Sequence, residues 1–231
     1  YLDAVAQKEI TNGVFSGSVL SVIHKGETVY LKSFGLADKE KNIPMKTDSI
    51  FRLFSMSKPV TAAAAMILIE RGLLDTRHLL KWFITEFSDP VVLDENGERP
   101  ADRDITIGDL LTMTSGIPYP DGTPAGQKMG ALWGEQSEKY LKGEKLLDTV
   151  SFAKEMGKRP LMFTPGEKWM YGASADIMGA VIEVVSGMKF GDFLRKEIFE
   201  PLGMNDTGFY IPAEKYSRLA QCYEYKNGGN E

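Results

Sequence analysis

The run Ala62-Ala-Ala-Ala-Met-Ile-Leu-Ile69 is apolar nearly all the way round a helix. Such a helix belongs inside a protein, enclosed by other elements, because no polar face is left to meet water. The chain has 231 residues, 43% of them hydrophobic, enough for one large or two small domains around it. The predicted helix is Pro59–Arg71, stopped by Gly72, with Pro59 in the first turn, where its missing N–H is not needed. Just ahead stand Ser55 and Lys58, three residues apart and so on one helical face. A serine hydroxyl is a poor nucleophile until a neighbouring base takes its proton. Lysine serves as that base once its pKa falls, which burial in an apolar wall and the positive helix N-terminus both promote.

Ser-x-x-Lys also occurs at Ser151/Lys154 and Ser186/Lys189. Ser186 precedes Gly187 at the expected C-terminal end of a helix, where the partial charge is negative and opposes a nascent alkoxide. Ser151 lies in an amphipathic stretch whose Lys154 is expected to face water. Only Ser55 stands before a buried helix. Ser57 is a rival nucleophile, but next to the lysine it is expected to point away from it. The plain structural alternative for Ser55 is a helix N-cap.

Basic and acidic side chains, 27 and 32 for a net charge of −5, are interspersed with no basic stripe, which disfavours nucleic acid as a partner. No apolar run reaches membrane-spanning length and no signal-like leader is present, so localisation stays open between cytoplasmic and exported. Cys222 has no partner for an internal disulfide, and His24 and His78 without other cysteines do not suggest zinc.

Along the chain, a helix Leu2–Thr11 precedes strands Gly17–Ile23 and Thr28–Phe34, joined at His24-Lys25-Gly26-Glu27. Residues 38–48 read as a charged loop. After Leu73 strand signals nearly vanish. Thr106–Met113 reads as a short helix with Thr106 as N-cap and Asp109 reaching back. Pro118–Gly134 reads as a long cleft-lining loop, and Asp148–Lys158, Asp176–Ser186 and Phe190–Phe199 as helices. Strand-like alternation returns at Arg218–Tyr225, and Asn227-Gly228-Gly229-Asn230 signals a turn. A sheet of three strands would leave an unpaired edge, from which further C-terminal strands are expected. The expected organisation is residues 1–54 as the N-terminal part of an α/β domain, 55–72 as the nucleophile helix, 73–210 as a mainly helical domain, and 211–231 as the return to the sheet.

A second segment, Thr164-Pro-Gly-Glu-Lys-Trp-Met-Tyr171, places a tyrosine after a Pro-Gly turn and before the helix at Asp176. A phenol beside an ammonium has a lowered pKa and can relay protons. The alternative is an anchoring aromatic. Together with Ile105-Thr-Ile-Gly-Asp-Leu-Leu-Thr-Met-Thr-Ser-Gly116 and Ile198-Phe-Glu-Pro-Leu-Gly-Met-Asn-Asp-Thr-Gly208, these stretches resemble, in order, the serine β-lactamase-like superfamily. That superfamily takes in penicillin-binding DD-peptidases, class C β-lactamases and related carboxylesterases. The resemblance implies an α+β fold, an antiparallel sheet with flanking helices plus a helical domain. It makes Ser55 the acylated nucleophile, Lys58 its proton acceptor or electrostatic partner, and Tyr171 the activator of the serine and later of water. The Ser55 N–H would form half of an oxyanion hole. Which of Lys58 and Tyr171 takes the first proton stays open.

Two departures bear on substrate. The superfamily's Tyr-x-Asn reads Tyr171-Gly-Ala173 here, and alanine offers no amide; the literal Tyr225-Lys-Asn227 falls in the terminal turn. The third motif, Lys-Thr-Gly or His-x-Gly on a late strand, is absent, since His24-Lys25-Gly26 sits in the first hairpin. The expected function is a serine hydrolase acting through an acyl-enzyme, a carboxylesterase first, with a β-lactamase or DD-peptidase as the alternative and an inert binding domain as a third reading. No Gly-x-Ser-x-Gly elbow occurs, which removes the α/β-hydrolase route to an esterase. Asp102/Asp104 and Glu135/Glu138 read as solvated carboxylates. The expected partner is a small-molecule ester, β-lactam or peptide, with no cofactor, no metal and no membrane segment.

Overall fold

The computed structural model describes residues 1–226 and 229–230, and the chain divides into two units, residues 1–54 with 208–231 and residues 55–207.

In the first unit, helix α1 (Leu2–Thr11) precedes strands β1 (Gly17–His24) and β2 (Glu27–Asp38). The two strands pair antiparallel from Gly17 opposite Gly35 to His24 opposite Glu27. Lys25 and Gly26 both take positive φ, 50° and 83°, as a two-residue turn that follows strand twist requires. The third strand of the sheet is β3 (Ile43–Pro44), inside the stretch expected to be a loop. Asp38 makes this possible: its carboxylate accepts the Lys41 N–H at 2.9 Å and closes the turn back to β3. The expected strand at 218–225 is not one. Residues 213–218 form a 3₁₀ helix, and Leu219 makes one isolated bridge to Ile50. Main-chain bonds from Ala220 to Ile50 and from Gln221 to Ala37 hold this stretch without a ladder. Tyr225–Lys226 pairs with Gly229–Asn230, while Asn227 and Gly228 of the expected turn lie outside the described residues.

The second unit is built around α2 (Ser57–Glu70). Its Thr61, Ala64, Ala65 and Leu68 are buried, and their cluster includes Ile177, Ala180 and Val181 of α6 (Ser174–Ser186). Alanine at two of these positions lets the helices approach closely. The enclosure expected for α2 is one-sided: Pro59, Ala63 and Met66, on the side turned away from α6, are exposed, Met66 by 45%. A hairpin, β4 (Val91–Asp94) and β5 (Gly97–Pro100), occurs where no strands were expected. Gly97, at φ 109°, and an Asn96 N–H bonded to the Asp94 carboxylate turn it.

Helix α3 (Ile107–Thr112) carries the full capping box, Thr106 Oγ1 accepting from Asp109 N–H and Asp109 accepting from Thr106 N–H. Residues 118–134 are not one long loop, because α4 (Pro124–Leu141) begins inside them with Thr123 as N-cap and Pro124 at the first position. Glu135 and Glu138 lie on its outer side, paired with Lys139 and Lys142. Helix α5 (Thr149–Gly157) is capped by Asp148, and α6 ends at Gly187, φ 69°. Helix α7 (Phe190–Leu194) runs on as a π-helical turn, Arg195–Phe199. The elements make an α+β fold with an antiparallel three-stranded sheet, as the resemblance implied.

Candidate active site

Ser55 sits in a 3₁₀ turn, Phe54–Met56, that leads into α2. Phe54, the residue before it, is held at φ 46°, a left-handed conformation that an aromatic residue rarely adopts. The N-cap of α2 is Met56, without a side-chain capping bond, so Ser55 is not the ordinary cap. Its Oγ instead lies 3.0 Å from Lys58 Nζ. The other two Ser-x-x-Lys pairs are occupied elsewhere: Ser186 Oγ donates to the Ile182 carbonyl, Lys189 pairs with Glu183 and Asp148, and Lys154 pairs with Glu86.

Lys58 does not lie in an apolar wall. Its ammonium stands over two phenol rings, 4.6 Å from the centroid of Tyr171 and 5.5 Å from that of Tyr119. Burial works against its charge, but the Tyr171 and Tyr119 phenols outweigh burial, and its pKa is raised, not lowered as expected. Tyr171 moves the other way: the Lys58 ammonium, and then a hydrogen bond with Ser55, hold its phenol below the ordinary value. Tyr119 moves up, through burial first and then the Asp176 carboxylate, to which its hydroxyl donates at 3.0 Å. The two phenols flanking one lysine are thus pushed apart in acidity.

Backbone geometry carries both tyrosines. Residues 113–117 and 162–173 are stitched by main-chain bonds: Met162 N–H to Gly116 O (2.8 Å), Gly166 N–H to Thr114 O (2.8 Å), Met170 N–H to Met113 O (3.0 Å) and Ala173 N–H to Ile117 O (3.2 Å). Beneath them, Ser115 Oγ and Ser174 Oγ share a buried hydrogen bond of 2.8 Å. Gly172 is required by proximity, since a Cβ there would lie 2.1 Å from the Ile117 carbonyl oxygen. Further out, Asp109 receives two bonds from Arg103, at 2.7 Å each, and one from Thr114 Oγ1 at 3.0 Å, which fixes the end of α3 from which residues 113–119 emerge.

Ser55, Lys58 and Tyr171 therefore come together. Tyr119 and Asp176 join them and were not singled out in the sequence. Ala173 is completely buried, and so its methyl group does not stand open to a substrate. Tyr171 is 43% exposed, and Met56 and Trp169, in the segments that carry Ser55 and Tyr171, are open to solvent by 70% and 65%. Asp102 accepts from Thr164 Oγ1 and Asp104 pairs with Lys81, which leaves these acids with structural partners.

The family model described as Beta-lactamase matches residues 2–230. The chain is 34% identical to "Esterase EstB" of Burkholderia gladioli over 211 residues, 90% of this chain and 50% of that protein. It is 33% identical over 218 residues to "Penicillin-binding protein 4*" of Bacillus subtilis (strain 168), 91% of this chain and 42% of that protein. Among solved structures, "EstCE1, a hydrolase with promiscuous acyltransferase activity" superposes with a TM-score of 0.82 at 28% identity, over 100% of this chain and 57% of that one. The chain spans about half the length of the relatives it matches. It belongs to the beta-lactamase family.

Proposed function

Starting from that family, we propose that Ser55, Lys58 and Tyr171 are the acylation centre of a serine hydrolase that acts on small esters through an acyl-enzyme. The observation that carries this reading is the 3.0 Å contact of Ser55 Oγ with Lys58 Nζ beneath the Tyr171 phenol. The opposed shifts of the two groups favour Tyr171 over Lys58 for the first proton. Lys58 stays an ammonium, and Tyr171, as its phenolate, takes the proton of Ser55 Oγ. The Oγ electron pair then forms a bond to the ester carbonyl carbon, and the carbonyl π pair moves onto oxygen. The Ser55 N–H at the mouth of α2 stabilises that oxyanion, with the field of the helix N-terminus behind it. Collapse expels the alkoxide, which takes the proton from Tyr171. Water, deprotonated by Tyr171, repeats the attack on the acyl-serine and releases the acid and Ser55.

Esters are favoured over amides because Tyr171-Gly172-Ala173 lacks the asparagine amide that would bind a substrate amide. Similarity to esterases supports the same choice. A second reading, β-lactamase or DD-peptidase, draws support from the 33% identity to a penicillin-binding protein. In the full-length protein, Ser55→Ala should abolish covalent labelling by a fluorophosphonate and hydrolysis of a nitrophenyl ester. Undiminished labelling would remove Ser55 from the reaction. Faster turnover of a chromogenic cephalosporin than of the nitrophenyl ester would put the second reading first.

A further inference from the structure

Tyr119 lies outside the acylation scheme, yet it closes the side of Lys58 that Tyr171 leaves open. Its ring is tilted against Tyr171 at 5.9 Å and meets Trp133 of α4 edge-on at 6.2 Å, so its plane is fixed from two directions. Its hydroxyl donates to Asp176 Oδ2, in the first turn of α6. A phenol has one proton to give. Once that proton is committed to the carboxylate, only lone pairs remain on the Tyr119 oxygen, and those can accept from the Lys58 ammonium.

We propose that Tyr119 and Asp176 form a positioning pair: Asp176 holds the Tyr119 hydroxyl so that its oxygen faces Lys58 as an acceptor, which fixes the ammonium between two phenols and leaves Tyr171 alone to exchange protons with Ser55. Neither residue touches the reacting atoms; Asp176 acts through Tyr119, and Tyr119 through Lys58. The chain of contacts runs from α6 through residues 113–119 to α2, and it bridges the elements that carry Tyr171 and Ser55. Asp176 is reached by solvent yet surrounded by protein closely enough that desolvation raises its pKa. The charged and titratable groups that act on it are Tyr119 and Lys58, both of which favour its ionised form. A carboxylate in this position also explains why two tyrosines flanking the same lysine do not compete for one role. Burial and then the acid make Tyr119 the weaker proton donor of the two, while Lys58 and Ser55 make Tyr171 the stronger.

The inference rests on the acylation reading, and the test separates them. In the full-length protein, kcat and KM for a nitrophenyl ester are measured against pH for Tyr119→Phe, Asp176→Ala, Asp176→Asn and the double variant Tyr119→Phe/Asp176→Ala, with thermal midpoints alongside. The two single losses should each lower kcat by about tenfold or more with KM little changed, and the double variant should be no worse than either, because the pair works as one unit. Asp176→Asn retains an acceptor and should recover at least about threefold of the kcat lost in Asp176→Ala. Loss of the Tyr119 oxygen should move the alkaline limb of kcat/KM, set by the Lys58 proton, to lower pH by about half a unit or more. Unchanged kcat in both single variants, additive losses in the double variant, or losses that follow the thermal midpoint with a fixed alkaline limb would each overturn the pair. If Ser55→Ala keeps full labelling, the acylation reading fails instead, whatever these variants do.

Discussion

The Asp109 side chain offers a test of how the site is held. It is 7% exposed, and it accepts from both terminal nitrogens of Arg103, from Thr106 N–H and Oγ1, and from Thr114 Oγ1. Asp109→Ala removes a capping-box partner, worth about 1 kcal/mol. It also strips the acceptor from Thr106 and Thr114, at about 1 kcal/mol for such a bond. The Arg103 pairing adds no more than about 1 kcal/mol, because that guanidinium is 42% exposed and water re-solvates it. The total is about 3–4 kcal/mol, which for a chain of this size lowers the melting midpoint by about 6–16 °C. Scanning calorimetry of the full-length protein and of Asp109→Ala at neutral pH measures it. Burial pushes the Asp109 carboxyl up, but Arg103 and Thr106 outweigh it and hold it below the ordinary value. With the folded pKa depressed, this stability is fully present above the unfolded carboxylate range and is lost as pH falls through the folded pKa. The difference between wild type and Asp109→Asn should therefore close as pH drops below about 4. A midpoint change under about 2 °C, or a difference that widens in acid, would refute the anchoring argument.

Tyr171→Phe should lower kcat by about 10²–10⁴-fold while fluorophosphonate still reaches Ser55 slowly, as stopped-flow labelling will show. The pH–rate profile should be bell-shaped, with an acid limb below the ordinary phenol pKa of 10.0 and an alkaline limb above the ordinary lysine pKa of 10.5; a rate that starts to rise only at or above the ordinary lysine value, with no alkaline fall, would return the base role to Lys58. Gly172→Ala drives a methyl group against the Ile117 carbonyl and should cost about 1–3 kcal/mol of stability in denaturant titration, with a fall in kcat as Tyr171 is displaced. Ser174→Ala leaves Ser115 Oγ without its buried partner and should cost about 1–2 kcal/mol by the same titration.

What was legible in the sequence is what local chemistry dictates. The Lys25-Gly26 hairpin, the Thr106/Asp109 capping box and the Gly187 stop each depend on residues close together in the chain, and each formed as expected. The β4–β5 hairpin and β3 escaped because their strands are four and two residues long, too short for alternation to register. Helix α4 was hidden by glycines at 126, 130 and 134, although Thr123-Pro124 and the Glu135–Lys139 spacing marked it. Ser55, Lys58 and Tyr171 could be picked out because motifs surround them. Tyr119 and Asp176 carry no motif of their own, and their meaning appears only when the fold brings residues 57 positions apart within hydrogen-bonding distance. The direction of the Lys58 shift was misjudged for a related reason. A helix seen alone says nothing of phenols delivered from elsewhere.

The stitching of residues 113–117 to 162–173 runs through amide and carbonyl groups, which every residue type carries. Side chains at Glu167, Lys168, Trp169 and Met170 are exposed, and they are not what aligns Tyr171 with Lys58. The frame that holds Tyr171 beside Lys58 and the exposed side chains of residues 167–170 are thus separable. Substitutions along 167–170 are expected to leave the Ser55, Lys58 and Tyr171 geometry in place, whatever they change at the surface. A library confined to those four positions should yield variants that differ in substrate preference far more than in the pH dependence of catalysis.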